Sequence, residues 1–100
     1  MTQLERDIEK KLKDKVQKLG GHCLKWTCPG WAGVPDRIVL MPGGRIYFVE
    51  TKRPKGGKLS ALQKHWHMVL LELGFSVRVV WTLEDVADFE LILTSEINRK

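Results

Sequence analysis

Two runs of strand-forming residues joined by three turn residues constrain this chain more than any other feature. Asp36–Met41 reads DRIVLM, Arg45–Lys52 reads RIYFVETK, and Pro42-Gly43-Gly44 lies between them. β-Branched and aromatic residues favour extended backbone, and a Pro-Gly-Gly spacer reverses it, so the segment is a β-hairpin. A hairpin also sets a register. With Gly43 at the centre of the turn, Asp36 and Glu50 face each other at the open end. A two-residue Gly43-Gly44 turn shifts that pairing by a single residue. Facing residues of an antiparallel pair lie roughly 4.5–5.5 Å apart at Cα and share one face of the sheet. Strand alternation places Lys52 on the same face as Glu50.

The remaining elements follow from periodicity and punctuation. Leu4, Ile8, Leu12, Val16 and Leu19 form one apolar stripe, predicting a helix over residues 2–19 that Gly20-Gly21 stops. Thr2 and Glu5 have capping-box spacing. His22–Trp26 reads as a short strand, and residues 27–35, rich in proline and glycine, as a loop. Residues 53–58, RPKGGK, read as a basic flexible loop. Ser60 caps a second helix running to about Leu73 and closed by Gly74, with Leu62, Trp66, Val69, Leu70 and Leu73 as its apolar face. Phe75–Trp81 is a further strand, and Thr82 caps a last helix of about a dozen residues. The order α-β-β-β-α-β-α implies an α/β fold, a mixed central sheet flanked by helices. The β-α-β step from Arg45 to Trp81 implies two parallel strands joined by a right-handed crossover.

One hundred residues suffice for one domain and are too few for two, so residues 1–100 are expected to form a single domain. Lys and Arg number 17 against 12 Asp and Glu, a formal charge of +5. That balance, with a pI near 9.4, favours an anionic partner, nucleic acid first, over a merely basic surface. No apolar run is long enough to span a bilayer, and the charged N-terminal sequence lacks the apolar core of a signal peptide. No membrane partner and a cytoplasmic location are therefore expected. Cys23 and Cys28, beside His22, have the spacing of a zinc half-site, but His65 and His67 fall elsewhere, and two free thiols fit better. Four tryptophans exceed what a small core easily hides, which points to an interface or a ligand surface.

The open end of the hairpin carries the chemistry. Two carboxylates side by side repel unless a proton or cation sits between them. A hard divalent metal with oxygen ligands fits, with Lys52 free to hold a phosphate oxygen or an attacking water, which is what phosphodiester hydrolysis requires. The alternative is a cross-strand ion pair at the sheet edge, with Asp36-Arg37 a plain strand start and Glu50-Lys52 an ordinary solvated face. The surrounding series favours the metal site: Gly33-Val34-Pro35-Asp36, the hairpin, Glu50-Thr51-Lys52, then Lys58-Leu59-Ser60-Ala61-Leu62-Gln63 leading to Trp66.

This series resembles the virus-type replication-repair nuclease domain, VRR-NUC, a branch of the PD-(D/E)XK nucleases with a restriction-endonuclease-like fold. The resemblance covers about residues 4–86 and includes an early glutamate on the first helix. It implies a Mg²⁺- or Mn²⁺-dependent DNA endonuclease in which Asp36, Glu50 and the backbone carbonyl of Thr51 hold the metal. It further implies Lys52 as catalytic lysine, Gln63 as the helix glutamine that orients the site, and Glu5 as the acid reaching the metal-bound water. Glu5 also fits the cap with Thr2, with Glu9 one turn along as substitute, and Gln63 also fits a capping box with Ser60. Arg53, Lys55, Lys58 and Lys64 are expected to contact DNA phosphates, or else to form a solvated loop. Trp31 is expected either to stack on an unpaired base or wedge a junction, or to fold back on the sheet. Small free-standing members occur in phages and bacteria and are associated with homodimers that cut four-way (Holliday) junctions. Larger members, fused to DNA-repair proteins, act on flaps. A junction-cutting homodimer in a bacterial or phage-infected cell is the expectation. Trp66, Trp81 and the last helix, with Phe89, Leu91, Ile92 and Leu93, are expected to supply its interface. A flap or non-specific nuclease, or a non-catalytic nucleic-acid-binding module, is the alternative.

Overall fold

The first helix forms because its apolar residues recur every four positions. In the computed structural model, which describes residues 4–98, α1 spans Glu5–Lys18 and buries Ile8, Leu12 and Val16. Its N-cap is Leu4, which offers no side-chain hydrogen bond. The expected cap, Thr2, lies outside the described residues. The helix is instead matched to its macrodipole, with Glu5 and Asp7 in the first turn and Lys15 and Lys18 in the last.

The other elements are β1 (His22–Lys25), β2 (Arg37–Met41), β3 (Arg45–Thr51), α2 (Ala61–Glu72), β4 (Ser76–Val80) and α3 (Leu83–Ile97). They follow the expected order, and the strands form one sheet in the order β1-β2-β3-β4. The first three strands are antiparallel neighbours, and β4 runs parallel to β3 after the α2 crossover. The hairpin register runs from Met41↔Arg45 to Arg37↔Val49. The next step outward brings Asp36 opposite Glu50, as the Gly43-centred turn requires. Gly43 and Gly44 both take positive φ, 87° and 76°, which no β-branched residue would tolerate.

α1 and α3 cover one face of the sheet. The core there joins Ile8, Leu12 and Val16 to Cys23, Val39, Met41, Tyr47, Val49 and Val80, and to Val86, Phe89 and Leu93 of α3. α3 is 15 residues long, longer than expected, and starts with a capping box between Thr82 and Asp85. Phe89 and Leu93 are each only 1% exposed. This corrects the expectation that α3 offers them to another subunit: they fill the chain's own core.

α2 lies against β4 on the opposite face. Its buried residues are His67 and Leu70, whereas Leu62 and Leu73 are exposed. The expected apolar face is therefore rotated. Gln63, His67 and Leu70, at helical spacing, turn inward. The two cysteines are free thiols, Cys23 in the core and Cys28 in the 27–35 loop. Among the described residues, no helix is long and apolar enough to cross a membrane.

The core assignment predicts a contrast within one helix. Phe89→Ala should cost about 3–5 kcal/mol in urea denaturation, because it leaves a cavity between α3 and the sheet. Leu91→Ala, at an exposed position two residues on, should stay within about 0.5 kcal/mol of the parent.

Candidate active site

The hairpin and α2 together bury a carboxylate. Glu50 is 4% exposed, on the sheet face that α2 covers. Its Oε2 lies 3.8 Å from Lys52 Nζ, and its Oε1 is buried without a hydrogen-bond partner. Burial first, then the charge of Asp36, pushes the Glu50 pKa from 4.5 up to about 7. Lys52 and a backbone hydrogen bond from Asp36 oppose that rise, and Glu5 adds to it.

Asp36 is held from the strand beside it. The Thr51 backbone N–H donates to Asp36 Oδ1 at 3.1 Å, and Thr51 Oγ1 donates to Oδ2 at 2.7 Å. The Asp36 carbonyl accepts from Trp26 N–H at 2.8 Å, which ties it to the end of β1. Asp36 is thus held by its side chain from β3 and by its carbonyl from the end of β1, without being a member of the ladder itself.

The two acids of α1 divide their work. Glu5 is exposed, and its charge is felt at Glu50. Glu9, one turn on, lies 3.1 Å from Thr51 Oγ1 and accepts from Arg37 Nη2 at 3.4 Å. A hydroxyl has one proton, and the nearer Asp36 takes it, so Arg37 is what anchors Glu9. The sequence reading missed Arg37 and the Thr51 side chain. Alternation would have found them: both point to the α1 face, opposite Glu50.

Gln63 is engaged at the start of α2. Its Oε1 accepts from Ser60 N–H at 2.8 Å, and its own N–H donates to Ser60 Oγ at 3.1 Å. The capping box is therefore real, and Gln63 makes no hydrogen bond to Asp36, Glu50 or Lys52. One turn further along α2 comes His67. It is buried with Nε2 unpartnered, and burial followed by the Lys52 charge holds its pKa below the ordinary histidine value.

Arg53, Lys55, Lys58 and Lys64 are all exposed around the entrance to α2. The loop that carries the first three is built more tightly than its composition suggests. Gly56 takes φ 81°, and a Cβ on Gly57 would lie 2.4 Å from the Arg53 carbonyl oxygen. Trp31 does not fold back on the sheet. It is 59% exposed and meets Trp66 of α2 edge to face at 5.7 Å.

The donors present suit a hard divalent cation. Among the described residues, no three His, Cys, Asp or Glu side chains converge as a complete ligand set. A magnesium-type ion needs only one or two carboxylates and keeps several waters. Glu50 has one buried oxygen without a hydrogen-bond partner, and its carboxyl feels the charge of Asp36. The residues therefore fit such an ion.

A mixed sheet with Asp36 at one strand end and Glu50-Thr51-Lys52 on its neighbour is the architecture of the PD-(D/E)XK type. No protein-family model matches the chain. It is, however, 46% identical over 76 residues to "Putative nuclease p44" of Acyrthosiphon pisum secondary endosymbiont phage 1, covering 76% of this chain and 81% of that protein. A solved structure described as "VRR_NUC domain" superposes with a TM-score of 0.81 at 32% identity, covering 85% of this chain and 91% of the other. The chain belongs to the VRR-NUC nuclease family.

The raised Glu50 pKa has a signed consequence for metal-free protein. A carboxyl whose pKa is higher folded than unfolded contributes stability below its unfolded value of 4.5 that is lost as pH rises through about 7. Glu50→Gln should therefore be more stable than the parent at pH 8 in EDTA, by on the order of 2 kcal/mol. The advantage should vanish at pH 4, as read by thermal melts at both pH values.

Proposed function

We propose that residues 1–100 form a single-domain, Mg²⁺- or Mn²⁺-dependent DNA endonuclease that cuts four-way junctions as a homodimer. The observation that carries the metal-dependent reading is the buried Glu50 carboxylate, which has one oxygen unpartnered, the other near Lys52, and the charge of Asp36 acting on it. Asp36, Glu50 and the Thr51 carbonyl would hold the ion. Bound there, a divalent cation supplies charge neutralisation for a phosphodiester and a water acidified enough to attack it.

The chain's own residues do the rest. Thr51 fixes the Asp36 carboxylate through two hydrogen bonds, so its orientation is set before any ligand arrives. Lys52 keeps an ammonium beside Glu50, placed to hold a phosphate oxygen or to orient the attacking water. Glu5 adds a further carboxylate whose charge reaches Glu50, and it would be the acid that reaches the metal-bound water. Gln63 positions the start of α2 through its capping box with Ser60. Arg53, Lys55, Lys58 and Lys64 contact backbone phosphates, which add affinity without sequence preference. Trp31 borders the same DNA surface.

Junction cutting requires two nicks in opposed strands, and one chain offers one site. A two-fold dimer supplies two. The surface for it is not α3 but the part of the sheet that α2 leaves open. Leu24, Leu40 and Ile46 are all exposed there, on adjacent strands in the pairing Leu40↔Ile46 and Leu24↔Ile38. An apolar sheet face of this kind is what an isologous contact buries.

Two outcomes test the proposal. Asp36→Asn and Glu50→Gln should fold and lose cleavage by at least about a thousandfold, the rate equivalent of several kcal/mol of metal-supplied stabilisation. Lys52→Ala should lose cleavage yet keep the rise in melting temperature that Mn²⁺ gives the parent, a rise that Glu50→Gln should lack. Substantial cleavage by Asp36→Asn would overturn the site. In sedimentation, the parent should run at about 23 kDa, twice the 11.5 kDa chain. Ile46→Asp should run at the single-chain mass and lose paired nicking of a labelled junction. A parent that is monomeric and cuts flaps faster than junctions would instead support the flap nuclease.

A further inference from the structure

Beside the metal site lies a second feature that the hydrolytic residues do not use. The 27–35 loop and the start of α2 enclose a cleft of about 420 Å³ lined by Gly30, Trp31, Ala32, Leu62, His65 and Trp66. We propose that this cleft takes up one unstacked nucleobase of the DNA substrate, with Trp31 as the stacking surface and Trp66 as its support. The inference rests on the DNA-nuclease reading and adds to it the feature of DNA that is recognised: a base freed from its stack at a branch or unpaired end.

The cleft is held by backbone. A Cβ on Gly33, whose φ is 96°, would lie 2.7 Å from the Leu62 carbonyl carbon. Loop and helix therefore touch main chain to main chain. Trp31 stands edge to face on Trp66, with ring centroids 5.7 Å apart and planes at 87°, and His65 meets Trp66 at 5.5 Å. A 59% exposed tryptophan held in a fixed orientation presents a ring to solvent. Gly30 and Ala32 on either side of it carry no bulk that would block a flat group from sliding over it.

Charge selects the occupant. No carboxylate lines the cleft, and the sole acid on α2 is Glu72, at its far end. Lys58 and Lys64 are exposed before and beside Leu62. Their ammonium groups draw an anionic strand to the cleft. The two segments that line the cleft lead directly into candidate site residues. The loop runs from Trp31 through Gly33 into Asp36, and Leu62 directly precedes Gln63. Base stacking on an aromatic ring is sequence-tolerant, so recognition here is of structure and not of sequence.

The test uses a four-way junction and a single-stranded flap carrying 2-aminopurine at the branch, and a control with it in a paired arm. Binding is measured in EDTA, so that it is independent of hydrolysis. The parent should quench the branch-site probe and not the paired one. Trp31→Ala should abolish that quenching and weaken branched-DNA binding about 5- to 150-fold, with Trp31→Phe intermediate and duplex affinity nearly unchanged. The Mn²⁺-induced rise in melting temperature should persist in Trp31→Ala, showing that the fold and metal site are intact. Equal weakening on duplex and branched DNA, or no weakening at all, would overturn the proposal. So would a halved sedimentation mass for Trp31→Ala, which would make the cleft a contact between copies. A parent that quenches the branch probe but cuts nothing with Mg²⁺ or Mn²⁺ would refute the nuclease reading and leave the base site standing.

Discussion

The repulsion between Asp36 and Glu50, imposed by the register of β2 on β3, is the interaction around which the molecule is arranged. The register has two masters. The same alternation that sends Tyr47 and Val49 into the core against α1 and α3 sends Glu50 to the other face. A slip by one residue would bury the acid under α1 and expose the core valine. The placement of the carboxylates is thus enforced by the burial of apolar neighbours. Those neighbours make the cost of two close acids bearable in a domain of this size.

Around that pair, the chain divides support between elements that arrive from different parts of the sequence. Thr51 belongs to the same strand as Glu50, yet its amide and hydroxyl serve Asp36 on the other strand. α1 contributes Glu9 on the Thr51 side and the field of Glu5 on the Glu50 side. α2 closes the face over Glu50 and Lys52. The outcome is a carboxylate shielded from water but short of one partner, a state that a cation relieves and a hydrophobic replacement would not reproduce.

Much of this was legible beforehand because it is local. Glycines with positive φ announce the turn, the turn sets the register, and the register pairs the acids. The crossover from β3 to β4 followed from a helix of the right length between two strand-like runs. What was misread depended on which face a helix turns inward. Leu62 and Leu73 fit an apolar stripe as well as Leu70 does, and only the docking of α2 on β4 decides among them. Phe89 and Leu93 looked surplus because periodicity cannot count how much core a sheet demands. The Thr51 side chain and Arg37 drew no role, since alternation gives the face a residue points to but not the carboxylate it meets there.

The contact between Gly33 and Leu62 has a metrical consequence. Side chains can change rotamer, but two backbones touching with nothing between them cannot slide apart without one of the elements moving bodily. The loop that ends in Asp36 and the helix that starts at Ala61 therefore behave as one stiff body, with Trp31 at one end and Asp36 at the other. Such a body is a ruler. On the proposed role of Trp31, a base held there would leave the scissile phosphate a constant number of nucleotides away, whatever the sequence between them.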